Sequence, residues 1–293
     1  MEQETKMVFI AFASMTNYSN WKCQIALAFK TLDRHMGGEW KRKGLVLIAG
    51  GAGSGKTTLF VDSQLRMGKG YVLPKTGELI QTPSLFISLE MDKAELMLKM
   101  VANELEIDSN EITSNTFAEV FNDHPEYENE DDVLKAIEDK TTELQQLPIY
   151  VVDNSTLTLA QIVYEIRKHV HKYGVRVVAI DYMQLINHHP TGNDNNDLGE
   201  IAIVLKALAK KENITIILLS QINRGGEGLN AIRDSGEVQA VVDVVMQLIP
   251  DEDDGTSTAV SNVNLAWWKN RGGRAGKKTP LLLHGAFNKF IEG

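Results

Sequence analysis

Gly50-Gly51-Ala52-Gly53-Ser54-Gly55-Lys56-Thr57 satisfies the pattern G-x-x-x-x-G-K-[ST], and it sits between the apolar run Leu45 to Ala49 and a helix-forming segment. The glycines let backbone N–H groups turn inward around a β-phosphate at a helix N-terminus, where the helix dipole favours anions. Lys56 can reach β- and γ-phosphate oxygens, the Thr57 hydroxyl can ligate Mg²⁺, and Thr58 completes the nucleotide-binding stretch that starts at Gly50. A strand, this loop and a helix in sequence predict a P-loop ATPase, with ATP and Mg²⁺ as its ligands.

Outward from the loop, short aliphatic runs recur at Leu85 to Leu89, Ile149 to Val152, Val175 to Ile180, Ile214 to Leu219, Val244 to Ile249, Val263 to Trp268 and Leu281 to Leu283. Each reads as a buried strand. Helical spacing lies between the runs from Leu45 to Leu219. Leu159, Ile162, Val163, Ile166 and Val170 share one face behind a Thr158 N-cap, and Leu198, Ile201, Ala202, Leu205, Leu208 and Ala209 make a second stripe. Alternation of strand and helix predicts an α/β fold, a mostly parallel sheet with helices on both faces. The last three runs have little helix between them, which predicts an antiparallel C-terminal edge.

The strand ends supply the acids that a P-loop needs. Val177-Val178-Ala179-Ile180-Asp181 places Asp181 where a second metal-shell ligand belongs. Glu90 ends the run Leu85 to Leu89 at the same sheet edge, and is the candidate base for activating water. Its alternative is to cap the helix that starts near Asp92. Ser220-Gln221 ends a further strand, which puts the Gln221 amide near a γ-phosphate as a sensor.

With 39 acidic against 30 basic residues the formal charge is -9, which excludes a coat-like binder of nucleic acid but not a protein that holds DNA in a narrow, locally positive channel. The single cysteine, Cys23, excludes an internal disulfide and fits a reducing cytoplasm. No stretch is long enough to span a bilayer, so no membrane partner is expected. The polar stretch 122–132 reads as a solvated connector, and 187–197 as a candidate functional loop whose His188 and His189 have no third metal ligand beside them. Tyr18, Trp21, Ile25, Phe29 and Leu32 form an amphipathic stripe, either core packing or a linker helix that docks on a neighbouring subunit. Domains are therefore expected at 1–35, a linker-type segment, and 36–293, the ATPase.

Together the blocks Gly50 to Thr57, Ser88-Leu89-Glu90-Met91, Ile180-Asp181-Tyr182-Met183-Gln184-Leu185, Leu219-Ser220-Gln221-Ile222-Asn223-Arg224 and Ile232-Arg233-Asp234-Ser235-Gly236 resemble the DnaB-type replicative helicases of bacteria and their phages, a RecA-like branch of the P-loop fold. The resemblance covers roughly Leu32 to Gly293. It implies that Glu90 is the catalytic glutamate, Asp181 the Walker B aspartate and Gln221 the γ-phosphate sensor. Lys269-Asn270-Arg271 looks like the family's Lys-x-Arg element, in which Lys269 and the arginine finger Arg271 project into the next subunit's ATP site. Arg233, Asp234 and Gly236, with Arg224, match the family's DNA-gripping channel loop.

The resemblance also implies a homo-oligomer, a hexamer that moves 5′ to 3′ on single-stranded DNA, with primase and a helicase loader as further partners. Two departures are expected. The separate helical N-terminal domain that cellular members use for primase contact is missing, and the segment between Arg224 and Ile232 is short and glycine-rich. Two other readings stay open: a RecA- or RadA-like recombination ATPase, which shares the sheet and P-loop but assembles as a filament, and an accessory ATPase that partners a host helicase without unwinding.

Overall fold

Strands form where β-branched and aliphatic residues run without interruption, because only a position covered on both faces buries every side chain of such a run. In the computed structural model, which describes residues 29–35, 43–72, 79–187, 194–222, 226–228, 236–251 and 260–292, these runs become one sheet. In chain order the elements are α1 (Lys30–His35), β1 (Leu45–Gly50), α2 (Lys56–Lys69), β2 (Tyr71–Val72), β3 (Leu79–Ile80), β4 (Ser84–Ser88), α3 (Lys93–Leu105), α4 (Ser109–Ser114), α5 (Val120–Asp123), α6 (Glu130–Gln145) and β5 (Ile149–Asp153). They continue as α7 (Leu159–Tyr173), β6 (Val177–Asp181), a 3₁₀ turn (Met183–Leu185), α8 (Asp194–Glu212), β7 (Thr215–Gln221), α9 (Gly236–Val241), β8 (Val244–Pro250), β9 (Val260–Asn270), β10 (Lys277–His284) and β11 (Lys289–Glu292).

The sheet order is β11-β10-β9-β8-β1-β7-β6-β4-β5, which puts β1 in the middle. β1 pairs in parallel with β7 and β8, and β6 pairs in parallel with β7 and β4. One hydrophobic cluster covers each face: Phe60, Phe86, Trp267 and Phe290 on one side, Ile162, Ile166, Leu205 and Leu218 on the other. The helix expected behind Thr158 forms with a full capping box, in which Thr158 and Gln161 satisfy each other's backbone N–H groups.

The three C-terminal runs form the expected antiparallel edge, β8 against β9 and β9 against β10. β8 is parallel to β1 and only its other neighbour, β9, runs against it. The edge also carries a strand that was not expected, β11, which pairs with β10. The stretch 122–132 is not merely a solvated connector. Asn129 caps α6 through its side chain, and Val133 joins Ile107, Phe117 and Val120 in a small core of their own. The acidic character of that lobe is real: thirteen of the 39 acidic residues and two of the 30 lysines and arginines lie between 106 and 143. The rest of the chain therefore has a slight positive balance.

Of the expected linker-type segment 1–35, only Phe29 onward is described. Phe29 and Leu32 are fully buried in the main core, the Arg66 guanidinium lies 4.2 Å over the Phe29 ring, and His35 stacks on Trp267 at 5.5 Å. Tyr18, Trp21 and Ile25 lie outside the described residues, as do His188 and His189.

The last strand is bound into the core by more than its ladder. Phe290 is fully buried, its N–H donates to Asp62 Oδ2 at 2.9 Å, and its carbonyl accepts from Arg66 Nη2 at 2.9 Å. Phe290→Ala is expected to cost about 3–5 kcal/mol of unfolding free energy in urea titration. A loss under about 1 kcal/mol would mean that β11 is a loosely attached end.

Candidate functional site

At the carboxyl edge of the parallel strands, β1 turns through Gly51 to Gly55 into α2. Gly53 and Gly55 adopt positive φ of 76° and 89°, which glycine alone takes without strain. A Cβ on Gly55 would come within 2.9 Å of Phe290, so the loop is pressed against the C-terminal strands. A Cβ on Gly51 or Gly53 would meet nothing within 4 Å. Gly55 is the N-cap of α2 and provides no side-chain cap, and the first turn has no acidic residue. The N–H groups of that turn thus have no intrahelical acceptor, and the positive end of the dipole faces the loop.

Around this helix end lies an open cleft of about 430 Å³ lined by Ala52, Gly53, Gly55, Lys56, Thr57 and Thr58 of the loop, with Glu90, Asp181 and Gln221 from three strand ends. Gly50 and Gly51 flank it; Lys56 Nζ donates to both their carbonyls at 2.9 Å. Thr57 Oγ1 donates to Asp181 Oδ2 at 2.5 Å. The buried Ser54 Oγ has no hydrogen-bond partner.

The sheet register explains why these residues meet. Gly50 is level with Gln221 on β7, and Ser88 with Asp181 on β6. The Ser88 hydroxyl braces the turn that carries Glu90 by donating to Met91 O at 2.6 Å and accepting from Met91 N at 3.1 Å. The cap of α3 is Asp92, in a capping box with Glu95, so Glu90 does not serve as the cap and stays exposed in the cleft. Gln184 fixes the end of β7: its Nε2 donates to Ser220 Oγ at 2.9 Å and to Gln221 O at 3.0 Å. The Asp181–Tyr182 peptide between these groups is cis.

Burial sets the charges here. It lowers Lys56 below the ordinary lysine value, against Asp181 and Glu90, whose charges raise it. It raises Asp181 above its ordinary carboxylate value; the Thr57 hydrogen bond opposes, the Glu90 charge adds, and Lys56 opposes.

Several lining residues were not among those expected. Lys99 from α3 donates to Asn288 Oδ1 at 2.7 Å, Leu283 comes from β10, and Gly285 and Asn288 come from the β10–β11 turn. Asn288 Nδ2 is buried without a partner, and Asn103 Nδ2 donates to Asn288 O at 2.6 Å. No local pattern marks them, since Lys99 and Asn288 are 189 residues apart.

Lys269 and Arg271 are not in this cleft. The end of β9 pairs with the start of β8, Asn270 beside Val244, and Val244 is level with Val46 on β1. They therefore sit at the amino edge of the sheet, about 16 Å along β1 from the loop at roughly 3.3 Å per residue. There Arg271 Nη2 donates to Ala240 O at 2.9 Å, and Lys269 Nζ donates to Gln239 O. Of the expected DNA-contacting residues, Gly236 is the first residue of α9, while Arg224, Arg233 and Asp234 lie outside the described residues.

The Asp181 shift has a measurable consequence. A carboxyl raised in the folded state binds more protons there than in the unfolded chain, so stability falls as pH rises from the ordinary value of 3.8 through the raised one and is level above it. Asp181→Asn, which keeps the shape and can still accept from Thr57, is expected to raise the thermal midpoint of the ligand-free protein at neutral pH. The gain should vanish at about pH 3, below the ordinary carboxylate value. A lower midpoint at neutral pH would contradict the burial argument.

Comparisons with known proteins bear on the family and the fold. Residues 25–292 match the family described as DnaB-like helicase C terminal domain. The replicative DNA helicase DnaB of Mycoplasma pneumoniae is 29% identical over 267 residues, which covers 85% of this chain and 53% of that protein. The protein of the same name from Synechocystis is 31% identical over 219 residues, 71% of this chain and 22% of that protein. The chain spans about half the length of the Mycoplasma relative. Among solved structures, an ATPase domain superposes with TM-score 0.79 at 22% identity, covering 99% of this chain and 98% of that one. A DnaB-like replicative helicase, solved in a study of its interactions with primase, gives 0.76 at 20% identity, covering 98% of this chain and 66% of that one. At these identities the two structures speak for the RecA-like fold. The chain belongs to the family of DnaB-like helicase C-terminal domains.

Proposed function

We propose that this chain is the ATP-hydrolysing motor of a replicative DNA helicase, which translocates on single-stranded DNA as a ring and separates the duplex at a fork. The observation that carries the reading is the convergence of Lys56, Thr57, Glu90, Asp181 and Gln221 on the uncapped first turn of α2. Family membership and relatives named as replicative helicases support the DNA substrate.

The residues present fit ATP and Mg²⁺. Unsubstituted Gly51 and Gly53 leave room beside the first-turn N–H groups, and Asn288 Nδ2, a buried polar atom of a cleft-lining residue, lacks a partner among the described residues. Thr57 and Asp181 would hold the magnesium, which would neutralise charge on the β- and γ-phosphates. The Lys56 ammonium exchanges its two carbonyl acceptors for phosphate oxygens. Lys99 and Asn288 contact the part of the nucleotide that lies toward the β10–β11 turn. Glu90 orients a water and takes its proton as the oxygen bonds to the γ-phosphorus and the bond to the β-phosphate oxygen breaks. Gln221, with its backbone held by Gln184, donates to the γ-phosphate and reports its loss to the segment that follows β7.

Arg271 and Lys269 lie at the far edge of the sheet, which supports their action in the ATP site of a neighbouring subunit. A ring of six, 5′ to 3′ movement, strand contact through Arg224, Arg233, Asp234 and Gly236, cooperation with primase and a loader, and a cytoplasmic site of action belong to the same reading. No helix among the described residues is long and apolar enough to cross a membrane.

Glu90→Gln keeps the shape of the side chain and loses the base. It is expected to bind ATP within about twofold of wild type yet hydrolyse it at least about 10²-fold more slowly, and to fail to unwind a forked duplex. Near-normal turnover would remove Glu90 as the base. Vigorous hydrolysis without unwinding by the wild-type chain would favour the accessory ATPase instead.

A further inference from the structure

The end of β9 is held in a seat made by the carboxyl end of α9 and by Asp243. Lys269 Nζ donates to Gln239 O and Arg271 Nη2 to Ala240 O at 2.9 Å, so the last carbonyls of α9, with their partial negative charge, face two cations. Arg271 Nη1 lies 3.6 Å from Asp243 Oδ1, and Arg271 N donates to Asp243 O at 2.9 Å. The carboxylate is itself fixed. Asp243 is 4% exposed, its Oδ2 accepts from Leu45 N at 2.9 Å and from Lys206 Nζ, and its N–H donates to Leu45 O at 2.8 Å. Elements on three sides, β1, α8 and the α9–β8 junction, thus locate one buried charge.

Arg271 is different from the group that holds it. Its side chain is 47% exposed although two of its nitrogens are engaged, so the remainder of the fork is open to the surroundings. An arginine at a protein edge normally explores many rotamers, and ordering it costs side-chain entropy. A seat that orders the side chain before a partner arrives removes much of that cost from the moment of reaction.

We propose that Asp243 is the positioning residue of the arginine finger: with the last carbonyls of α9 it holds Arg271 at the amino edge of the sheet, in the orientation that a neighbouring subunit's ATP site receives. The proposal rests on the trans assignment of Arg271 above. Asp243 touches no nucleotide. It acts through Arg271 on the neighbour's turnover and leaves nucleotide binding in its own cleft unaltered.

A cis–trans test with the full chain separates this role from a structural one. Asp243→Asn is expected to assemble, to keep its KM for ATP within about twofold, and to lose about 10- to 100-fold in kcat, short of the 10³ to 10⁵ that a whole finger supplies. Mixed at several ratios with Lys56→Ala, which has a dead P-loop but a wild-type Asp243 and Arg271, the variant should recover hydrolysis, because intact fingers then face intact P-loops. Arg271→Ala mixed with Lys56→Ala is run beside it. Recovery in that pair but none in the Asp243→Asn pair would show that Asp243 serves its own strand β1, and would overturn the proposal. Recovery in neither pair would overturn the trans assignment and the proposal with it. If Asp243→Asn does not fold, Asp243→Glu takes its place, since it keeps the charge and moves it by one methylene. A loss of kcat that the Lys56→Ala partner restores upholds the positioning role, and wild-type turnover or an unrestored loss refutes it.

Discussion

The first turn of α2 presents backbone N–H groups that no N-cap side chain satisfies among the described residues, and the rest of the molecule is arranged so that this helix end stays open and fixed. β1 is the middle strand of the sheet, with parallel neighbours on both sides, so the loop that leaves it cannot drift. The left-handed Gly55 lets the chain turn into the helix, and Phe290 and Leu283 pack against the space where a side chain would be. The C-terminal strands thus brace the loop through van der Waals contact, while β4, β6 and β7 deliver a carboxylate or an amide to the same edge from their ends.

Holding charge in that place is costly for the ligand-free chain. Burial shifts Lys56 and Asp181 in opposite directions, each toward its neutral form, despite their mutual attraction. Opposed charges that the unliganded fold does not favour are what a site for a polyphosphate and a divalent cation needs. The overall charge follows a similar division. The excess of acid lies in the lobe between 106 and 143, far in sequence from the segment 224–236 and from the basic end of β9, so a net charge of -9 is compatible with a positive DNA-facing surface.

Much of this was legible in the sequence, for identifiable reasons. A P-loop must lie between a strand and a helix, and the candidate groups Glu90, Asp181 and Gln221 each end an aliphatic run, so pattern and proposed chemistry coincide. β11 was not legible, because four residues reading Lys-Phe-Ile-Glu have too short a period to distinguish from a turn. Stretch 122–132 misled because its polarity conceals a small core that it shares with Phe117 and Val133. Lys99 and Asn288 reach the cleft only through tertiary packing. Arg271 could be singled out from its neighbours, but its place at the amino edge follows from the pairing of Asn270 with Val244, which no sequence pattern encodes.

On the proposed reading the two edges of the sheet take different parts: a nucleotide cleft at one, and at the other a seated cation for use by a second subunit. All of it depends on the open helix end being a polyphosphate site. Calorimetric titration of the wild-type chain with ATP and with AMP, each with Mg²⁺, addresses that most directly. Two or three charge-assisted hydrogen bonds to the β- and γ-phosphates, at about 1.5 kcal/mol or more apiece, should make ATP bind at least about a hundredfold more tightly than AMP. Chelation of the magnesium should remove much of the difference. Equal affinity for the two nucleotides would show that the first turn of α2 does not hold phosphate, and would contradict the reading at its foundation.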